Sequence, residues 1–157
     1  MSFMESYEIT TRSPEETYAF GKALGACLQG GETLLLLGGM GAGKTAVTRG
    51  IVAGMGIDDD VSSPTYTLVN TYEDGDKRVH HFDVYRLTDE DALYEMGFED
   101  FLTDGAVLII EWPQVAEGYP FEHPMTLEIG QPADPQTRLL KLSAPAEFMA
   151  DFKKLGW

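Results

Sequence analysis

The chain has 157 residues, 43% of them hydrophobic, and its 26 acidic side chains against 11 basic ones give a formal net charge of −15. That length predicts one domain (1–157) able to bury roughly 70% of its unfolded surface, and no apolar run comes near the ~20 residues that a membrane-spanning helix needs. The acid surplus opposes direct, tight nucleic-acid binding, which Lys and Arg drive by displacing counterions, although a fold made acidic only for solubility has the same balance.

The opening MSFMESYEIT lacks the basic start and long apolar core of a secretory signal. YEITT (7–11) alternates weakly and predicts a first strand. SPEETYAFGKALGACLQGG (13–31) predicts a helix: Ser13 with Glu16 reads as a capping box, and Pro14 sits in the first turn, where its missing N–H is tolerated. Phe20, Leu24, Cys27 and Leu28 share one face, and Gly30 with Gly31 is the predicted stop. Cys27 is the only cysteine, so no intrachain disulfide forms, which fits a reducing compartment and a cytoplasmic protein. On the core face its thiol is expected to be inert.

ETLLLLG (32–38) has the wholly apolar character of a strand buried in a parallel sheet. A glycine cluster follows, then a helix from about 44 to 55 whose Gly50 and Gly54 predict close packing on a neighbour. Residues 58–87 read as a loop and two strands turning at Asp74, Gly75 and Asp76. DEDALYEMG (89–97) predicts a short helix and AVLIIEW (106–112) a second apolar strand ending in an acid. MTLEIG (125–130) and RLLKLSA (138–144) predict further strands, and residues 145–157 a closing helix. Apolar strands alternating with helices give an α/β layered fold, and the hairpin makes its central sheet mixed and partly antiparallel.

GGMGAGKT (38–45) fits G-x-x-x-x-G-K-[ST], the phosphate loop of P-loop nucleotidases. Gly38, Gly41 and Gly43 permit positive φ, so the N–H groups from Met40 through Ala42 to Thr45 can turn inward onto phosphate oxygens. The helix that follows presents its N-terminal N–H groups to the same anion. Lys44 reaches the β- and γ-phosphates and the Thr45 hydroxyl a magnesium ion. The same letters contain G-x-G-x-x-A, from Gly41 to Ala46, a dinucleotide fingerprint. That motif needs an acid at the end of a second strand about 20 residues on, whereas Asp58, Asp59 and Asp60 follow a helix with no strand between.

Hydrolysis also needs groups that complete the metal shell and orient water. Glu111 ends VLII as a Walker-B acid does; the alternative is a surface glutamate at a strand end. Asp83, in VHHFDVYRL, could position water or hold the metal's water shell; otherwise it is a strand-end residue or a partner for Arg86. SSPTYT (62–67) is either a switch segment stiffened by Pro64 or a plain proline turn. Trp112 packs on the nucleotide, on a partner or in the core. His80 and His81 face opposite sides of a strand and make a poor chelating pair.

GGMGAGKT, SPTYTLVNTY (63–72), HFDVYRL (81–87), YEMGFEDF (94–101) and LIIEWPQ (108–114) occur in the order and spacing of the bacterial tRNA threonylcarbamoyladenosine biosynthesis ATPases. Over about residues 13–115 the chain resembles this TsaE family. The resemblance implies a small P-loop ATPase with low activity alone, using ATP and Mg2+. Its implied partners are the threonylcarbamoyl transferase and that enzyme's non-catalytic paralogue, which would themselves hold the tRNA. Carried over by position, Lys44 binds phosphate and serves catalysis, Thr45 and Glu111 hold magnesium, and Asp83 is needed for hydrolysis. Trp112 would lie at the nucleotide side or partner surface. Arg138 of QTRLLKL matches an arginine near the nucleotide, and the adenine would lie near residues 11–13, including Ser13.

Two other readings share the loop. A small-molecule kinase would clamp the transferred phosphate with several arginines, but the five here (Arg12, Arg49, Arg78, Arg86 and Arg138) are dispersed. No N-K-x-D motif for guanine is present. A non-hydrolysing, nucleotide-gated binding subunit would not need both Asp83 and Glu111.

Overall fold

In the computed structural model, residues 3–39, 42–61, 68–84, 87, 89–102, 104–111, 121 and 124–157 are described. Met40, Gly41, Arg86, Trp112 and the segment 62–67 lie outside them.

The first strand, β1 (Met4–Thr11), leads into helix α1 (Pro14–Ala26). The Ser13 side chain accepts from Glu16 N at 3.2 Å, as a helix cap should. The return bond differs from the expected box, because the Glu16 carboxylate accepts from Arg12 N rather than from Ser13 N. The helix also ends early, with Cys27 as its C-cap. Gly30 and Gly31 adopt positive φ beyond that end, in the turn towards the next strand, so they shape the connection and do not stop the helix.

Strand β2 (Thr33–Leu37), helix α2 (Lys44–Gly54), the hairpin β3 (Val69–Asp74) and β4 (Lys77–Asp83), and α3 (Glu90–Glu95) follow in order. A 3-10 turn (Phe98–Leu102), β5 (Val107–Glu111), β6 (Met125–Gly130), β7 (Arg138–Pro145) and α4 (Ala146–Lys153) complete the described elements. The strands form one sheet in the order β1-β7-β6-β2-β5-β4-β3. β2 is central and pairs in parallel with β5 and β6, while β4 pairs in parallel with β5. The hairpin and the β6-β7-β1 meander are antiparallel. The sheet is therefore mixed, as the sequence predicts, and more of it is antiparallel than the hairpin alone would supply.

Strand alternation sends successive side chains to opposite faces. On one face Leu34, Leu36, Val79, Ile109, Leu127 and Leu142 pack under α1, α2 and α4, with Phe20, Val47, Ile51 and Phe152 beneath the helices. On the other, Phe82, Leu108 and Ile110 pack with Leu93 of α3 and Phe98 of the 3-10 turn. α1 and α2 meet with almost no space between their backbones. A Cβ on Gly54 would fall on the Lys22 carbonyl, and one on Gly25 on the Ile51 carbonyl. That contact fixes α2 against the sheet, and its N-terminus with it. Among the described residues no helix is long and apolar enough to cross a membrane.

Candidate functional site

Parallel pairing brings the C-terminal ends of β2, β4, β5 and β6 to one edge of the sheet, where ligands of open α/β sheets bind. The glycine loop leaves β2 at this edge. Gly43 is the N-cap of α2 with φ 106°, a left-handed conformation that strains any other residue, and no side chain caps the helix. The first-turn N–H groups of α2 therefore have no capping side chain, and such groups can meet an anion.

Lys44 is 6% exposed, and its Nζ donates to the Gly38 carbonyl at 2.7 Å. Burial lowers its pKa, while the charges of Glu111 and then Asp83 pull it back up. The ammonium therefore lies within the field of both acids. Thr45 follows on the first turn, half-buried. Asp83 and Glu111 end adjacent parallel strands and are register partners. Both are almost fully buried, at 5% and 3% exposed.

Arg138 comes from the far side of the sheet. At the start of β7 it sits opposite Thr11 in the register with β1. Its Nε donates to the Ala42 carbonyl at 2.7 Å, and its terminal nitrogen donates to the Pro135 and Thr137 carbonyls at 2.7 and 2.8 Å. A residue 96 positions away thus supports the loop, and the same register brings residues 11–13 to that side. Ser13 has its hydroxyl committed as an acceptor to the cap of α1. Gly38, Ala42, Gly43, Lys44, Thr45, Asp83, Glu111 and Arg138 therefore gather at or beside one edge.

His81 is the residue that sequence reasoning missed as part of this cluster. His80 and His81 face opposite sides of β4, as the sequence predicts. His81 is completely buried, and its Nε2 lies 2.5 Å from Glu111 Oε2. The available signal was its spacing: two residues before Asp83 on one strand means the same face. Cys27, also singled out, lies away from this edge, and burial followed by the charge of Asp151 pushes its thiol pKa up, away from reactivity.

Among the described residues no group of three or more His, Cys, Asp or Glu could hold a metal by itself. The donors at this edge, one hydroxyl and two carboxylates, are hard oxygens. Such a sparse set suits magnesium, which takes one or two protein oxygens and completes its shell with phosphate and water.

The family described as "Threonylcarbamoyl adenosine biosynthesis protein TsaE" matches residues 11–139. A Bacillus subtilis (strain 168) protein named tRNA threonylcarbamoyladenosine biosynthesis protein TsaE is 38% identical over 114 residues, covering 73% of this chain and 71% of that one. A Treponema pallidum protein of the same name is 34% identical over 125 residues, covering 79% and 91%. The crystal structure of YdiB from Bacillus subtilis superposes with a TM-score of 0.81 at 26% identity, covering 99% of both chains. A family match over residues 11–139, with relatives at 34–38% identity over most of the chain, leads to one conclusion: this chain belongs to the TsaE family.

Proposed function

We propose that the chain is a magnesium-dependent P-loop ATPase serving tRNA threonylcarbamoyladenosine biosynthesis. The observation that carries this reading is the convergence of Lys44, the α2 N-terminus, Asp83 and Glu111 at one sheet edge. The biosynthetic role follows from the relatives, which bear that name at 34–38% identity.

In this mechanism the backbone N–H groups of the loop and of the first turn of α2 cradle the phosphates. Lys44 exchanges the Gly38 carbonyl for phosphate oxygens and balances their growing charge. Thr45 and Glu111 would hold magnesium, which would supply positive charge to offset that of the phosphates. Asp83, beside Glu111 in register, orients the attacking water. Arg138 keeps the Ala42 peptide in place from below.

The partners in this reading are the threonylcarbamoyl transferase and its non-catalytic paralogue. With a net charge of −15 the chain docks on protein, and tRNA is held by those partners. The test is ATP and GTP turnover by the purified chain with and without the transferase assembly. Slow ATP turnover that rises with the assembly supports the proposal. Equal rates for wild type and Asp83→Ala under both conditions would instead leave a subunit that binds nucleotide without using it.

A further inference from the structure

Glu111 cannot be judged as a metal ligand without the side chain that holds it. We propose that His81 is a positioning residue for Glu111: its Nε2–H fixes Oε2 and leaves Oε1 as the oxygen presented to a cation. The inference rests on the nucleotide-and-magnesium reading above and adds a residue that this reading does not use.

Three observations carry it. First, the pair is buried on both sides, with His81 wholly inaccessible and Glu111 3% exposed, and the two atoms are 2.5 Å apart. A carboxylate removed from water costs several kcal/mol unless a donor meets it, and the imidazole is in direct hydrogen-bond contact with this one. Second, His81 Nδ1 is buried with no hydrogen-bond partner among the described residues. A buried N–H without an acceptor is the rarer and costlier defect, so the proton belongs on Nε2, where it is donated to Glu111. Third, the bond to Glu111 is the one hydrogen bond of the His81 ring among the described residues. His81 pairs with Ile109 on one side and Asn70 on the other in the register, lies on the same strand face as Val79, and its ring centroid is 6.2 Å from that of Tyr72.

Without that donor the Glu111 carboxylate could rotate, and the rotation would misplace the oxygen meant for the cation. Side chains that orient a metal ligand in this way typically govern metal affinity by about 10- to 100-fold.

The experiment measures nucleotide affinity by calorimetry in Mg2+ and in EDTA, and takes the ratio as the magnesium coupling. The binding of Mn2+ to the ADP complex, followed by electron paramagnetic resonance, gives a readout independent of turnover. His81→Gln places an amide N–H where Nε2 lies, whereas His81→Asn places one nearer Nδ1. His81→Gln is expected to keep the coupling within about threefold, and His81→Asn and His81→Leu to lose about 10- to 100-fold, with affinity in EDTA unchanged in all three. Should His81→Leu fail to fold, as its thermal melt would show, the Gln and Asn pair decides. Equal coupling in those two variants, with coupling lost in Glu111→Gln, overturns the role of His81 alone. Wild-type coupling in both Glu111→Gln and Thr45→Ala overturns the metal reading of the site and this proposal with it.

Discussion

His80 and His81 are neighbours in β4, and each meets a carboxylate, yet the two pairs do different work. His80 is held on both ring nitrogens, by Thr71 Oγ1 at 2.9 Å and by Asp104 Oδ2 at 2.7 Å. Asp104 also accepts from Arg78 at 3.1 Å and from the Ala106 N–H at 3.1 Å. Burial alone would raise the pKa of Asp104, but the bonds from His80, Ala106 and Arg78 outweigh it and bring the pKa from the ordinary 3.8 to about 2. The carboxylate of Glu111, on the opposite face and at the loop end of the sheet, has His81 as its one hydrogen-bond partner among the described residues. A carboxylate surrounded by donors fastens structure. One held by a single donor keeps lone pairs for a ligand. The same pair of residue types therefore gives a fully bonded carboxylate near the start of β5 and a carboxylate with a single donor at its end, where the proposed function places the cation.

Substitutions at the two ends should separate these roles. If Asp83 orients water as proposed, Asp83→Ala should lower ATP turnover by about 100-fold or more, while nucleotide affinity by calorimetry stays within about threefold. Gly54→Ala acts on the helix pair under the loop: its Cβ meets the Lys22 carbonyl, and denaturant titration should show a loss of about 3 kcal/mol. Arg138→Ala frees the Ala42 carbonyl and should weaken nucleotide binding about tenfold, the equivalent of one charged hydrogen bond.

Asp104→Asn should act at the other end only, costing about 1 kcal/mol of stability with no change in nucleotide affinity. Its pH dependence follows from linkage. The folded pKa lies below the unfolded one, so the contribution is present above about 3.8 and is lost as pH falls through about 2. Wild type and variant should converge in stability across that window. A difference undiminished at pH 2 would show that this contribution does not depend on the ionised carboxylate.

Much of this was legible in the chain because local signals agreed with the fold. Four consecutive leucines marked the central strand, and the glycine loop marked the turn into α2. Gly50 and Gly54 marked a tight helix contact whose partner, α1, sequence could not name. The Asp83–Glu111 adjacency was only partly legible. Each acid ends a strand, but their pairing depends on β4 lying beside β5, which no local pattern encodes. The bond between Arg138 and Ala42 spans 96 residues and exists because β7 and β6 run back beside β2. His81 was legible by its two-residue spacing from Asp83, yet a chelation test hid it: the useful question was what a buried glutamate would need.

The claim on which the rest stands is that residues 38–45 grip nucleotide phosphate through Lys44 and the start of α2. Calorimetric titration of a non-hydrolysable ATP analogue with Mg2+ into wild type and Lys44→Ala tests it most directly. The account predicts saturable binding by wild type and a loss of about 100-fold in the variant, roughly 3 kcal/mol. Equal affinity in the two proteins, both folded, would contradict it.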